Sequence, residues 1–411
     1  MKILFVHQNF PGQFLHLAPE LARLGHQCLA LTDDANRRDA PIPVLRYHFK
    51  APQVDRAQTR VGRTYTQMTD RGIAVARAAR FLRDRRGYRP DMILGHPGWG
   101  ETLFLKQIWP EARLVVHAEF YYRAQGQDVG FDPEFARDPF EAGILAQGRA
   151  AHLGQALLHA DAGFAPTHWQ ASTFPDALRS RIEVLHEGVD CDRLRPDAAA
   201  RFALPTGHVL KPGDEVLTFV NRNLEPYRGV HVFLRALPEV LRARPAAQVV
   251  IVGGDGASYG SMPSDGRSWR ETLLAELQGR LDLSRVHFLG RVPYDRFVAL
   301  MQVSRAHAYL TYPFVLSWSM LEAMAAGALV IGSRTAPVEE VVTDGMNGRL
   351  VDFFDIPAWS RTLIDVLAQP DRFQPLREAG RQTVLARYSL PGCLARLVQF
   401  VEAQGPGGGV A

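Results

Sequence analysis

Two series of short apolar runs, each run closed by a polar or glycine-bearing loop, constrain this chain more than any other feature of its sequence. The first opens with Ile3-Leu4-Phe5-Val6 and the loop His7-Gln8-Asn9-Phe10-Pro11-Gly12. Phe14, Leu17, Ala18, Leu21, Ala22 and Leu24 then mark one face of a helix that Gly25 stops, and Cys28-Leu29-Ala30-Leu31 is the next strand. This βαβ opening predicts a parallel sheet with helices on both faces. Met92-Ile93-Leu94, Leu114-Val115-Val116 and Ile182-Glu183-Val184-Leu185 continue it, and loops starting at His96, His117 and His186 follow. From Arg195 to Asp214 the texture changes: Pro196, Pro205, Gly207, Pro212 and Gly213 crowd a stretch of little periodicity. A second series starts at Val216-Leu217-Thr218-Phe219-Val220 and runs on through Val249-Val250-Ile251-Val252, Val286-His287-Phe288-Leu289 and Leu329-Val330-Ile331. The expected fold is α/β, with two tandem Rossmann-like, doubly wound domains whose ligand loops face each other across a cleft. Residues 1–195 make the first domain, 196–214 a linker, 215–388 the second domain and 389–404 a terminal helix. The tail 405–411 is expected to be disordered.

A chain of 411 residues suits two domains of this kind. Its 46% hydrophobic and 22% charged content excludes wholesale disorder. Cys28, Cys191 and Cys393 lie far apart, which excludes a disulfide framework and a C-x-x-C zinc site and fits a reducing cytoplasm. No apolar run approaches the ~20 residues that span a bilayer. Met1 to His7 lacks the longer core of a signal peptide. A net charge of +4 gives no reason to expect nucleic acid. That charge is unevenly placed: Lys50 to Pro90 holds eleven Lys or Arg against three acids. Within it, Ile73, Ala76, Ala79, Phe81 and Leu82 interleave with Arg77, Arg80, Arg83, Arg85 and Arg86. Two readings of Arg71 to Arg89 stand side by side. One is a solvated helix with its apolar side on the sheet; the other is a basic amphipathic helix resting on the inner face of an anionic membrane.

Two segments of the second series carry chemistry. Asn221-Arg222-Asn223-Leu224-Glu225-Pro226-Tyr227-Arg228-Gly229 is a strand end, a loop with two arginines and a helix start. Two guanidiniums facing a helix N-terminus suit a diphosphate, and equally they are ordinary surface arginines of a solvated loop. In the run from Pro313 to Gly327, a polar turn with Ser317 and Ser319 opens a helix that holds Glu322 one turn in. That carboxylate can accept both hydroxyls of a ribose, or can simply complement the helix dipole. A nicotinamide-dependent oxidoreductase is excluded, because His7 to Gln13 has one glycine and lacks G-x-G-x-x-G.

Taken in order, these segments resemble the GT-B glycosyltransferases of family 4, retaining enzymes that use nucleotide-diphosphate sugars. The resemblance covers Lys2 to Glu402. His287-Phe288-Leu289-Gly290-Arg291-Val292, Leu321-Glu322-Ala323-Met324-Ala325-Ala326-Gly327 and Pro337-Val338-Glu339-Glu340-Val341-Val342 carry it, with Asp344-Gly345-Met346-Asn347-Gly348 and His186-Glu187-Gly188-Val189-Asp190. His7 to Gln13, Glu119-Phe120-Tyr121-Tyr122-Arg123 and Tyr312 to Trp318 look like a bacterial subgroup of the family. The resemblance implies that Arg222 and Arg228 hold the donor diphosphate, Arg228 also serving catalysis. It implies that Glu322 binds the ribose, that Val292 lies by the base, and that Gly12 approaches the phosphates and sugar. Ser317 and Ser319 join the donor side. The terminal helix is expected to cross back onto the first domain. The sequence departs from the family at Phe314, where the first acid of E-x7-E is expected, and at Val315 and Ser317, which replace glycines.

In the first domain His96, His117 and Glu119 compete for the reacting centre, His117 and Glu119 standing as the catalytic candidates and His96 and Glu101 as acceptor-side ones. His7 reads as structural. Each of them can instead be a loop residue bonded to backbone. The resemblance implies transfer of a hexose-type sugar to a hydroxyl of a glycan, a lipid-linked precursor or a small molecule, with no metal or other cofactor. An epimerase on the same scaffold and, because of Phe314, a non-catalytic nucleotide-sugar binder are the alternatives.

Overall fold

The computed structural model describes residues 1–51 and 59–405. The chain divides into two compact units, Met1–Gly188 together with the chain from Pro391 on, and Val189–Leu390. In the first unit, seven strands form one sheet: β1 Lys2–Val6, β2 Gln27–Asp33, β3 Val44–Tyr47, β4 Met92–Gly95, β5 Arg113–His117, β6 Ala162–Ala165 and β7 Ile182–Val184. Their order is β3-β2-β1-β4-β5-β6-β7, and every pair is parallel. Ile3, Leu4, Phe5 and Val6 are all fully buried, as a central strand covered on both faces requires. Ile3 and Phe5 face one core cluster and Leu4 and Val6 the other.

The second unit begins with a two-stranded hairpin, β8 Phe202–Ala203 and β9 Val209–Leu210. Its main sheet contains β10 Val216–Asn223, β11 Gln248–Gly254, β12 Val286–Phe288, β13 Ala306–Tyr309, β14 Leu329–Ser333 and β15 Arg349–Val351. The order is β12-β11-β10-β13-β14-β15, again parallel throughout. Both units therefore reverse their winding once, between β1 and β4 in the first and between β10 and β13 in the second. In open parallel sheets the crevice beyond the strand ends at such a reversal is where ligands bind.

Several elements differ from the sequence expectations. The division falls at Gly188/Val189, not 195/196, because Val189, Cys191 and Leu194 are buried in the second unit's core. The stretch 196–214 is no free linker: Phe202, Leu204 and Leu210 join that same core. The basic helix is longer than Arg71 to Arg89. It spans Arg60–Arg86, starts where the Thr59 hydroxyl accepts the Gly62 N–H at 3.0 Å, and stops at left-handed Gly87. The last helix is Leu390–Ala403. Its Leu397, Phe400 and Val401 pack in one cluster with Ile3, Phe5 and Phe164 of the first unit's sheet. The expected disordered tail lies outside the described residues, apart from Gly405, whose N–H bonds the Glu402 carbonyl.

Candidate active site

In the second unit the reversal brings the loop after β10 against the loop after β13. Gly229 makes this possible. Its φ is +68°, and a Cβ there would lie 2.3 Å from the Leu310 Cβ. Arg228, one residue before, is 6% exposed and donates from Nη1 to the Thr311 hydroxyl at 2.8 Å and the Val315 carbonyl at 2.9 Å. Its guanidinium lies 5.3 Å from the Tyr259 ring centre and 5.8 Å from that of Phe314. Among the described residues it has no carboxylate partner. Arg222 is exposed at the end of β10, and no hydrogen bond or ion pair among the described residues joins it to Arg228 or Glu322.

Glu225, between the two arginines, is fully buried. Its carboxylate accepts the backbone N–H groups of Ser258, Tyr259 and Gly260, with contacts of 2.9–3.3 Å. The Asn223 amide adds a bond to the Ser258 hydroxyl at 2.7 Å. Three successive amides pointing one way make an anion cradle, and here the protein's own carboxylate fills it. The result is that Tyr259 is held over Arg228. The motif Asn221 to Gly229 contains this glutamate, but nothing local in the sequence reveals its target more than thirty residues on.

Ser317 opens the helix Trp318–Ala325. Its N–H bonds the Tyr309 hydroxyl at 2.7 Å, and its own hydroxyl lies 3.2 Å from that of Ser319, which is buried. Glu322, one turn in, takes a hydrogen bond from the Tyr294 hydroxyl at 2.9 Å. Burial pushes its carboxyl up to about 7 despite that bond. Val292 is half-buried and packs on the second unit's core. Phe314, where an acid was expected, is 2% exposed and lies among aromatic rings, 4.6 Å from Tyr259 and 5.6 Å from Tyr227. It offers no polar group to a sugar.

In the first unit three imidazoles gather where β1, β4 and β5 end. His96 lies stacked on His117 at 5.2 Å, and His7 is 5.3 Å from His96. Gly12, with φ +51°, leaves the space that His7 uses; a Cβ there would sit 2.6 Å from the ring. His7 Nδ1 accepts the Asn9 N–H at 2.9 Å and Nε2 meets Gln13 Oε1 at 2.9 Å. Burial, followed by the neighbouring His96, pulls His7 down to about 3, so it stays neutral. The Gln13 amide donates to Glu119 Oε1 at 2.9 Å, and His96 Nε2 lies 3.5 Å from Glu119 Oε2. Burial works against the charge on Glu119, but His96 and Gln13 outweigh it and hold the carboxyl at about 2. His117 Nε2 bonds Glu187 Oε1 at 2.7 Å. Burial opposes charge on His117 too, yet the glutamate raises its pKa overall. His96 Nε2 and His117 Nδ1 are buried without a hydrogen-bond partner.

His96, His117 and Glu119 each place a ligand atom within 4.8 Å of the others, close enough for a metal ion. The donor set does not fit one. His96 Nδ1 already accepts the Gly98 N–H at 3.1 Å, so in the neutral ring the proton sits on Nε2, the atom facing Glu119.

The site residues thus fall into two groups, one in each unit. His117, Glu119 and His96 come together with Gly12 and with His7, read from the sequence as structural, and are joined by Gln13, Trp99 and Glu187, which the sequence did not assign. Arg228 joins Thr311, Tyr259 and Glu225, while Glu322 joins Tyr294. Glu101 is different from the acceptor-side residue expected. It is fully buried, accepting the Gln8 N–H at 2.9 Å and the Tyr47 hydroxyl at 3.4 Å, and it braces the loop after β1.

Comparison with known proteins gives two family matches. Residues 24–194 match the glycosyl transferase family 4 group and residues 203–383 the glycosyl transferases group 1. D-inositol 3-phosphate glycosyltransferase of Mycolicibacterium smegmatis is 32% identical over 203 residues, 48% of this chain and 42% of the relative. The GDP-mannose-dependent alpha-(1-6)-phosphatidylinositol monomannoside mannosyltransferase of the same organism is 28% identical over 230 residues, 54% and 56% of the two chains. The matched region is thus well under two thirds of these relatives' length. Among solved structures, sucrose-phosphate synthase from Thermosynechococcus elongatus has a TM-score of 0.73 at 16% identity, covering 98% of both chains. Anabaena Alr3699/HepE in complex with UDP-glucose has a TM-score of 0.67 at 16% identity, covering 98% of this chain and 100% of that one. At such identities the structural likeness speaks for the fold alone.

Proposed function

We propose, from the premise that this chain belongs to the family-4-like GT-B glycosyltransferases, that it moves a hexose-type sugar from a nucleotide diphosphate to a hydroxyl with retention at the anomeric carbon. One observation carries the reading. Arg228 is a buried guanidinium bound to neutral acceptors only, at the reversal point of a parallel sheet. A buried cation without a counter-ion is costly, and an incoming diphosphate completes it. Arg228 and the exposed Arg222 then stabilise the negative charge that grows on the leaving diphosphate, the contribution with most leverage in such a reaction. Glu322 receives the ribose hydroxyls, Val292 lies by the base, and Ser317 and Ser319 line the donor side. His117 and Glu119 act on the sugar and the attacking hydroxyl. No metal or other cofactor takes part.

The relatives' names support a nucleotide-sugar donor and an acceptor that is a glycan, a lipid-linked precursor or a small molecule. One is GDP-mannose-dependent and another acts on inositol 3-phosphate; HepE was crystallised with UDP-glucose. An epimerase or a non-catalytic binder is not favoured, since both matched families are described as transferases. Incubation of the protein with UDP- and GDP-sugars, with and without candidate acceptors, tests the reading. Acceptor-dependent release of nucleoside diphosphate with an α-configured product is expected from an α-linked donor. Consumption of donor without any acceptor, or an inverted product, overturns it.

Glu322 makes donor binding depend on pH. The ionised carboxylate accepts two hydroxyls, and with its pKa near 7 it loses that capacity as pH falls from 8 to 6. Donor affinity should drop several-fold over that range, read by calorimetric titration. Tyr294→Phe removes the donor that favours the ionised form, so the midpoint should move to higher pH. The linkage to folding has the opposite sense. A carboxyl whose folded pKa is raised contributes stability that is full below its ordinary pKa and is lost as pH rises through about 7.

The same reading includes a cytoplasmic enzyme held peripherally at an anionic membrane. No helix among the described residues is long and apolar enough to cross a membrane. The helix Arg60–Arg86 does expose Ile73 and Phe81 beside Arg77, Arg80 and Arg85, the mixed apolar and basic face suited to an anionic surface. Flotation with vesicles containing phosphatidylglycerol is expected, and R77E/R80E/R85E should abolish it; flotation unchanged by those substitutions ends the membrane contact.

A further inference from the structure

We infer that the imidazole cluster at the strand ends of the first unit is the base of a subsite for an uncharged, hydroxyl-rich ring, and that the Glu119 carboxylate makes it reject rings bearing carboxylate or phosphate. The inference rests on the transferase reading above and goes beyond it by naming the charge class of the ring. His7, His96 and His117 are 2% exposed or less and form the floor. Above them stand three partly exposed groups: Trp99, whose ring lies 4.8 Å from His96, the Gln13 amide, and Glu119 with 29% of its side chain open. An aromatic face beside a carboxylate and an amide suits a sugar or cyclitol. The apolar face of such a ring lies on the indole, and its hydroxyls donate to the carboxylate. The floor has one further polar atom to offer, since His117 Nδ1 is buried without a hydrogen-bond partner.

Charge decides which ring enters. Glu119 is paired only with the amide of Gln13 and the imidazole of His96, and no Lys or Arg among the described residues bridges it. Glu187 lies behind His117 and is paired with it at 2.7 Å. An anionic ring substituent would therefore meet a fixed negative charge in a partly desolvated site, where repulsion is poorly screened. The arrangement is the converse of the second unit, where Arg228 has no carboxylate partner among the described residues.

The uncharged ring has two sources, the transferred sugar or the acceptor, and the test has an arm for each. Binding to the full-length protein is measured by calorimetry for UDP-glucose against UDP-glucuronate and GDP-mannose against GDP-mannuronate. The acceptor arm, with UDP present, compares myo-inositol with myo-inositol 1-phosphate. The neutral member of at least one pair should bind tenfold or more tightly than its anionic counterpart, and the pair that discriminates identifies the source. Glu119→Gln should shrink that ratio to threefold or less, while Glu119→Asp, which keeps the charge, should retain most of it. A purely structural glutamate would instead weaken both members equally. Anionic rings that bind as well as neutral ones, a preference that survives in Glu119→Gln, or no binding in any arm would overturn the inference. Failure of all four nucleotide sugars to bind counts against the donor site of Arg228, and the cyclitol pair, repeated without UDP, then decides the inference on its own.

Discussion

Arg228→Ala should abolish the thermal stabilisation that nucleoside diphosphates give the wild type and cut the transfer rate by about 10²–10³-fold, the range seen when a preorganised charge stabiliser is removed. The expectation follows from the buried setting. An exposed arginine would be screened and replaceable, whereas this one is 6% exposed and fixed by Thr311 and Val315. Its truncation also leaves a gap beside Tyr259 and Phe314, so the ligand-free melting temperature should fall as well. Arg228→Lys separates the two effects. A lysine keeps the charge but loses the forked geometry, and should recover part of the diphosphate response. A full diphosphate response in Arg228→Ala would place the donor elsewhere.

The second large effect is expected at Glu225. Bonds to a charged acceptor are each worth about 1.5–3 kcal/mol, and this carboxylate serves three backbone donors in a buried place. Glu225→Ala should therefore cost on the order of 3–5 kcal/mol and release the loop around Tyr259. Urea denaturation gives the first quantity. Hydrogen exchange at Ser258 to Gly260, fast in the variant and slow in the wild type, gives the second. Donor affinity should fall too, because Tyr259 is no longer held over Arg228. Slow exchange persisting in Glu225→Ala would mean the loop is fixed by something other than this carboxylate.

The fold was legible because parallel strands buried on both faces must be continuous apolar runs, and Ile3 to Val6 and Val216 to Val220 are such runs. The strands that escaped notice are those where this logic weakens. β6 reads Ala-Gly-Phe-Ala, too small and too short to stand out, and becomes a strand because β5 and β7 pair with it on both edges. β3 lies at the sheet edge, where alternation is loose. The proline- and glycine-rich stretch looked like a linker because composition reports turns well. It says nothing of Phe202 and Leu210 turning inward between them. Site residues followed the same rule. Residues at strand ends, such as His96 and His117, and Arg228 in the loop after β10, were visible in one dimension. Their partners were not: Glu187 lies seventy residues from His117, and the loop held by Glu225 is thirty-three to thirty-five residues away.

The last helix has a consequence for how the polypeptide matures. Residues of Leu390–Ala403 cover the very face of the sheet that Ile3, Phe5 and Phe164 present, and Glu402 reaches His26, whose other ring nitrogen meets the amino group of Met1. During synthesis the amino-terminal half emerges first yet stays incomplete, its greasy flank bare, until Leu390–Ala403 has been made. The second unit is one continuous stretch, Val189–Leu390, and so can finish earlier. Order of birth and order of completion are thus reversed, and a nascent chain stalled near residue 390 is the species most in need of a chaperone.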